Sequence, residues 1–298
     1  MRLLQPKQSN SGYTLVEVMV ATGCVVVLGF MSVVLMLAGF NIYARITANN
    51  VAHDQSRIAV NRLVSDIHKA VSTPQLYDAS AAGTGGLVTV TGATTKASCL
   101  GFQTVPDKGG PWEVKNDPGN SELIQIDTTG WDPQVGMRLI IPMYNIENDI
   151  IKVTANGNHK NVWMANGEER IPKSKNGTYI ITYFTSRMYY AVQDGELRLY
   201  QSGVDPNGGT NYNGIITPSV SAGKLVFKND DGSTARYAVV ARYITSSQPF
   251  TVPNYPDTRY VGVNLTTSDT HYSNRGFKAV NTLVAGSIPY RAKICQKN

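Results

Sequence analysis

Glu17 is the first residue that asks for a chemical explanation: it is the fifth residue after Gly12, and 23 uncharged residues, Val18 to Phe40, follow it directly. A charge inside a membrane costs roughly 2.5–3.5 kcal/mol on insertion scales, so such a carboxylate needs a partner or a path to water. Only Tyr13 to Val16 separate it from the polar segment MRLLQPKQSNSG. Snorkelling to water is therefore one solution, and pairing with a cation in the apolar phase is the other. Neither is catalysis. The chain contains no H-E-x-x-H, no G-x-S-x-G and no G-x-x-x-x-G-K-[ST], the local patterns of zinc peptidases, α/β-hydrolases and P-loops. His53, His68, His159 and His271 do not cluster. The spacing of His53 and His68 fits no metal pair and places both on a solvated helix face. Asn176-Gly-Thr178 and Asn264-Leu-Thr266 fit glycosylation sequons but read as strand-edge residues. The expectation is a protein that is not an enzyme.

The elements that must carry Glu17 follow from composition. The 298 residues are 42% hydrophobic and 16% charged, which excludes a disordered chain, and the charged fraction is low against a usual value of about 25%. With 27 Gly and 16 Tyr, the surface reads as loop-rich and β-rich. Three cysteines do not make a disulfide scaffold. The net charge of +6 falls to +4 without Arg2 and Lys7 (25 minus 21), too weak and scattered to imply a nucleic-acid partner. As a helix, Val18 to Phe40 would span about 35 Å, against about 30 Å for a hydrocarbon core. That run is too long for an ordinary secretory signal. Arg2 and Lys7 ahead of it place the N-terminus on the cytoplasmic side, so the bulk of the chain is expected outside the cytoplasm.

The string SGYTLVEVMVATG resembles the class III signal of type IV prepilins and type II secretion pseudopilins. It has a basic leader ending in Gly, an aromatic residue, Thr-Leu, Glu as the fifth residue, and a long apolar helix. The resemblance covers roughly the first 45 residues. It implies cleavage after Gly12 by a prepilin peptidase and N-methylation of Tyr13, where the family more often has Phe. It also implies that Glu17 neutralises the new amine of a neighbouring subunit and so sets the axial stagger of a helical assembly. Glycine suits the cut because it leaves the scissile backbone unshielded. A rival reading takes Ala21-Thr22-Gly23-Cys24 as a degraded lipobox with Cys24 lipidated, but Glu17 would spoil the apolar region before it.

Beyond Phe40 the sequence turns amphipathic, with Val60, Leu63, Val64, Ile67 and Val71 at helical spacing and Arg62–Asp66 as an i, i+4 ion pair. Thr73-Pro74 ends the pattern. The reading is a leader (1–12), an apolar half-helix (13–40), an amphipathic half-helix (41–73) and a β-rich head (74–298), which makes an α+β fold: a long pilin-type helix packed by a mostly antiparallel sheet. In the head, GLVTVTG, SELIQIDTTG, VGMRLIIPMY, DIIKVTA, NVWMANG and TYIITYFT read as strands. RMYYAVQDGELRLYQSG reads as a hairpin turning at Asp194-Gly195, KLVFKNDDGSTARYAVVARYI as a second one turning at Asp231-Gly232, and RYVGVNLTTSD as a later strand. The first hairpin is similar to the head of J-type minor pseudopilins, while PilW-like minor pilins share the long helix and head size.

The family resemblance implies more for the head. Pilins often fix the C-terminal end with a disulfide, for which Cys99 and Cys295 are the candidates in an oxidising compartment. Some pilin-like heads bind calcium, for which Asp205 and Asn207 in one loop and Asp230 and Asp231 in another supply oxygen ligands. The first loop lacks a closing bidentate Glu, and the second is more simply a hairpin turn. Otherwise no cofactor is expected. Expected partners are other pilin or pseudopilin subunits, the prepilin peptidase, the inner-membrane assembly platform and the membrane itself, with the head in the periplasm and later in a pilus or pseudopilus. The alternative is a tip adhesin or DNA-binding minor pilin, with Tyr255, Tyr260 and Tyr272 beside Arg259 and Arg275 as stacking and phosphate-binding groups.

Overall fold

The computed structural model describes residues 13–116, 122–127, 130–144, 146–165, 180–206, 208–253, 257, 260–269 and 277–286. One helix, α1 (Leu15–His68), runs for 54 residues, about 81 Å at 1.5 Å per residue. The sequence predicts it to run on to Val71. It stops at His68 because the following backbone is taken up by a strand: Val71 N–H donates to Gln103 O at 2.8 Å, and Ala70 bridges to Thr104.

The head contributes β1 (Gln75–Tyr77), β2 (Lys96–Ala97), β3 (Cys99–Thr104), β4 (Trp112–Glu113), β5 (Leu123–Ile126), β6 (Arg138–Ile141), β7 (Ile146–Asn156) and β8 (His159–Met164). It continues with β9 (Ile181–Gln193), β10 (Glu196–Gln201), β11 (Thr217–Ser221), β12 (Lys224–Lys228), β13 (Tyr237–Arg242), β14 (Phe250–Thr251), β15 (Tyr260–Asp269) and β16 (Phe277–Gly286). Every pairing among these strands is antiparallel. They form not one sheet but a ten-stranded sheet, a four-stranded sheet β16-β15-β14-β2 and the β11–β12 ribbon.

Strand β9 is the spine of the large sheet: β3 and β10 pair along its second half, β6 and β4 along its first. It fuses two segments that the sequence separates, TYIITYFT and the first arm of the hairpin. The turn to β10 is the expected one. Asp194 and Gly195 have φ of 51° and 75°, the left-handed pair that a two-residue turn of this type demands. The second expected hairpin is only half formed. Its turn closes through Asn229 N–H to Ser233 O, but β12 pairs with β11 and β13 crosses to β10. GLVTVTG is not a strand: Leu87 makes a single bridge to Tyr77, and Val88 and Val90 pack on the core from irregular backbone.

Alternation along the strands makes three layers. Leu100 and Phe102 of β3 with Met188 and Tyr190 of β9 face Leu63 and Ile67 of α1 in one core. Cys99, Tyr189 and Ala191 face the other way, under Leu225 and Phe227 of the β11–β12 ribbon. A further core, including Ile124, Leu139, Ile150, Val162 and Phe184, fills β5–β8. On α1 the buried face begins with Ala48, Ala52, Ser56 and Ala59. These small side chains allow close approach, and Thr267 of β15 donates its hydroxyl to Ala52 O at 2.7 Å.

Candidate functional site

The N-terminal end of α1 is built by a local hydrogen-bond motif. Thr14 is the N-cap in extended conformation, and its side chain accepts from Glu17 N at 3.3 Å. Glu17 Oε2 in return accepts from Thr14 N at 2.9 Å and from the Thr14 hydroxyl at 3.1 Å. This reciprocal box satisfies backbone donors that a helix start would otherwise leave open. Sequence reasoning passed over it, although Thr-x-x-Glu before an apolar run is its signature. Glu17 thus has a partner within its own chain. Among the described residues no donor reaches its Oε1, which leaves one carboxylate oxygen for a further partner.

Gly12 lies outside the described residues. Tyr13 is exposed at the helix start, every residue from there to Tyr43 is exposed, and the first fully buried one is Ala48. This is one helix long and apolar enough to cross a membrane, with none of its apolar window buried by the head. Two hydroxyls in the apolar stretch are satisfied within the helix: Thr22 donates to Val18 O at 2.6 Å and Ser32 to Leu28 O at 2.9 Å.

At the far end the helix is tied to the head by a polar triad. Tyr190 of β9, fully buried, donates its hydroxyl to Asp66 Oδ2. The same oxygen lies 2.9 Å from Arg62 Nε. The Arg62–Asp66 pair is legible in the sequence, whereas the tyrosine, 124 residues away, is not. Burial, and then the Asp66 charge, push the Tyr190 hydroxyl well above its ordinary pKa. Within the head itself, Asn213 ties its loop to the strands, donating to Gln201 O and Arg236 O and accepting from Arg236 N.

The remaining sequence candidates are placed as follows. Cys99 is buried against the ribbon, and burial pushes its thiol up, while Cys295 lies outside the described residues. Cys24 is exposed on the apolar helix. Asp205 accepts from Asn211 N at 3.0 Å and Asp231 from Ser233 N at 2.8 Å, each within its own loop, while Asp230 reaches across to accept from Ile215 N at 3.2 Å. Asn207 lies outside the described residues. Among the described residues no three His, Cys, Asp or Glu side chains come together as a metal site. His53 and His68 are exposed on α1. Tyr260 is described, at the start of β15. Tyr255, Arg259, Tyr272, Arg275, His271 and the 176–178 sequon lie outside the described residues. No family model, curated protein or solved structure matches this chain.

Proposed function

We propose that this chain is a minor pilin-like or pseudopilin-like subunit. In this reading a prepilin peptidase cleaves it after Gly12 and N-methylates Tyr13, and the apolar half of α1 holds it in the inner membrane with its head in the periplasm. Its work is structural: it helps to prime or cap a pilus or pseudopilus, in contact with other subunits and with the assembly platform. The observation that carries this reading is the helix itself. About half of it is uncovered and apolar, it opens with a carboxylate, and its second half packs on a β head. Such a helix suits a subunit that must first lie in lipid and then pack among like helices, where van der Waals contact rather than the hydrophobic effect favours association.

Glu17 has a role at both stages. In a lone chain its Oε2 closes the helix start with Thr14. In an assembly its Oε1 accepts the Tyr13 amine of a neighbour, and the pair fixes the register because an unpaired charge in that environment is strongly disfavoured. The test is Glu17→Ala, with crosslinking of the variant to wild-type subunits in its native membrane. Insertion should stay intact and incorporation should fall. Undiminished incorporation would contradict the role given to this residue.

A further inference from the structure

The outer face of the large sheet is only partly covered by the β11–β12 ribbon. Beside the ribbon a cleft of about 660 Å³ opens between β1, β3, β9 and β6. Its floor carries two guanidiniums brought together from Arg138 of β6 and Arg187 of β9, whose side chains are 19% and 21% exposed. Behind them Asp149 lies 3.1 Å from Arg187 Nη2 and 2.7 Å from Arg138 Nε, and Glu147 lies 2.9 Å from Arg138 Nη1. Although Arg138 Nε is close to Asp149, its N–H is buried without an aligned acceptor.

These ion pairs do not exhaust the donors. Among the described residues no acceptor meets Arg187 Nε and Nη1, Arg138 Nη2 or Gln103 Nε2; the Gln103 amide is fixed instead through its oxygen, which accepts from Thr185 at 3.3 Å. Tyr77 and Tyr189 flank the cleft with their rings 5.6 Å apart, edge to face. Gly101 makes room for them, because a Cβ there would lie 2.7 Å from Tyr77 Cε2.

We propose that this cleft binds a carboxylate carried on an extended acidic peptide. Planar guanidinium donors match the two oxygens of a carboxylate. The donors left over belong to planar guanidinium forks that suit one carboxylate, while Asp149 and Glu147 directly behind them would repel a dianion such as phosphate more strongly than a single negative charge. The volume exceeds that of one acidic side chain, and Gln75, Thr73 and Thr217 at the rim offer polar groups to a peptide backbone. The cleft lies on the head, so its occupancy does not depend on how the N-terminus is processed.

The test is calorimetric titration of the full chain in detergent. The probes are a short amidated peptide with one internal Glu, its Gln counterpart, a neutral peptide with a free C-terminal carboxylate, and inorganic phosphate. Either carboxylate peptide should bind about tenfold or more tighter than the Gln peptide, as expected for a charge-assisted pair. The comparison of the two also tells whether a side chain or a chain end is preferred. Arg187→Gln should remove about that factor. Thr217→Trp should obstruct the exposed rim without touching the ion pairs, and decides the matter if the arginine variant does not fold. Equal binding of the Gln peptide, preference for phosphate, undiminished binding in Thr217→Trp, or no binding by any probe would each overturn the proposal.

Discussion

The junction between helix and head rests on one buried hydroxyl. Tyr190→Phe removes that hydroxyl and leaves the ring, so no cavity of consequence opens at this fully buried position. A hydrogen bond to a charged acceptor contributes about 1.5–3 kcal/mol. Arg62 remains beside Asp66 at 2.9 Å, which keeps the loss below the 3–5 kcal/mol typical of a buried charge left alone. The expected cost is about 2 kcal/mol, or a fall in melting temperature of about 4–8 °C for a domain of this size. Asp66→Ala strands the tyrosine hydroxyl instead and should cost about 3 kcal/mol. In the double variant the loss of the hydroxyl should add almost nothing, giving a coupling energy of about 2 kcal/mol. The assay is urea unfolding of the full chain in detergent, followed by near-ultraviolet circular dichroism of the head. A Tyr190→Phe change below about 0.5 kcal/mol, or additive single variants, would refute the claim that this bond docks the helix.

Two further outcomes follow from the outer face of the sheet. Gly101→Ala drives a methyl group against Tyr77 and Tyr189 at 2.7 and 2.9 Å and should cost about 1–3 kcal/mol by overpacking; a shift in denaturation midpoint within experimental error would show that the rings yield freely. Burial pushes the hydroxyls of Tyr77 and Tyr200 up to about 12, whereas unfolded tyrosines ionise near pH 10. Between about pH 10 and 12 the unfolded chain therefore binds fewer protons than the folded one, and stability must fall as pH rises through that window while staying flat just below it. Denaturation midpoints measured across the window check the sign, and a flat profile would contradict it.

Much of this architecture is written in local sequence, and what is missing from the sequence reading is mostly long-range. The apolar run after Glu17 and the Asp194-Gly195 turn are local signals, and both elements stand where their residues place them. The capping role of Thr14 is equally local, written in Thr14-x-x-Glu17, but a carboxylate beside a long apolar run points first to a membrane partner rather than to a cap. The first buried turns of α1 escaped for a different reason: Ala48, Ala52, Ser56 and Ala59 carry no strong hydrophobic signal, and their meaning appears only once β15 lies against them. The split of the second hairpin is a tertiary effect: β13 lies as the outer neighbour of β10, while β12 pairs with β11. Arg138 and Arg187 are 49 residues apart in sequence (187 minus 138). Only the pairing of β6 with β9 brings them to one cleft.

The central claim is that Gly12-Tyr13 is a processing site and that the helix behind it enters a filament. The most direct measurement is the intact mass and N-terminal sequence of the protein recovered from its native membrane. The account predicts a chain that begins at methylated Tyr13. A chain that still begins at Met1 with competent peptidase present, or one that begins at a lipidated Cys24, would contradict it.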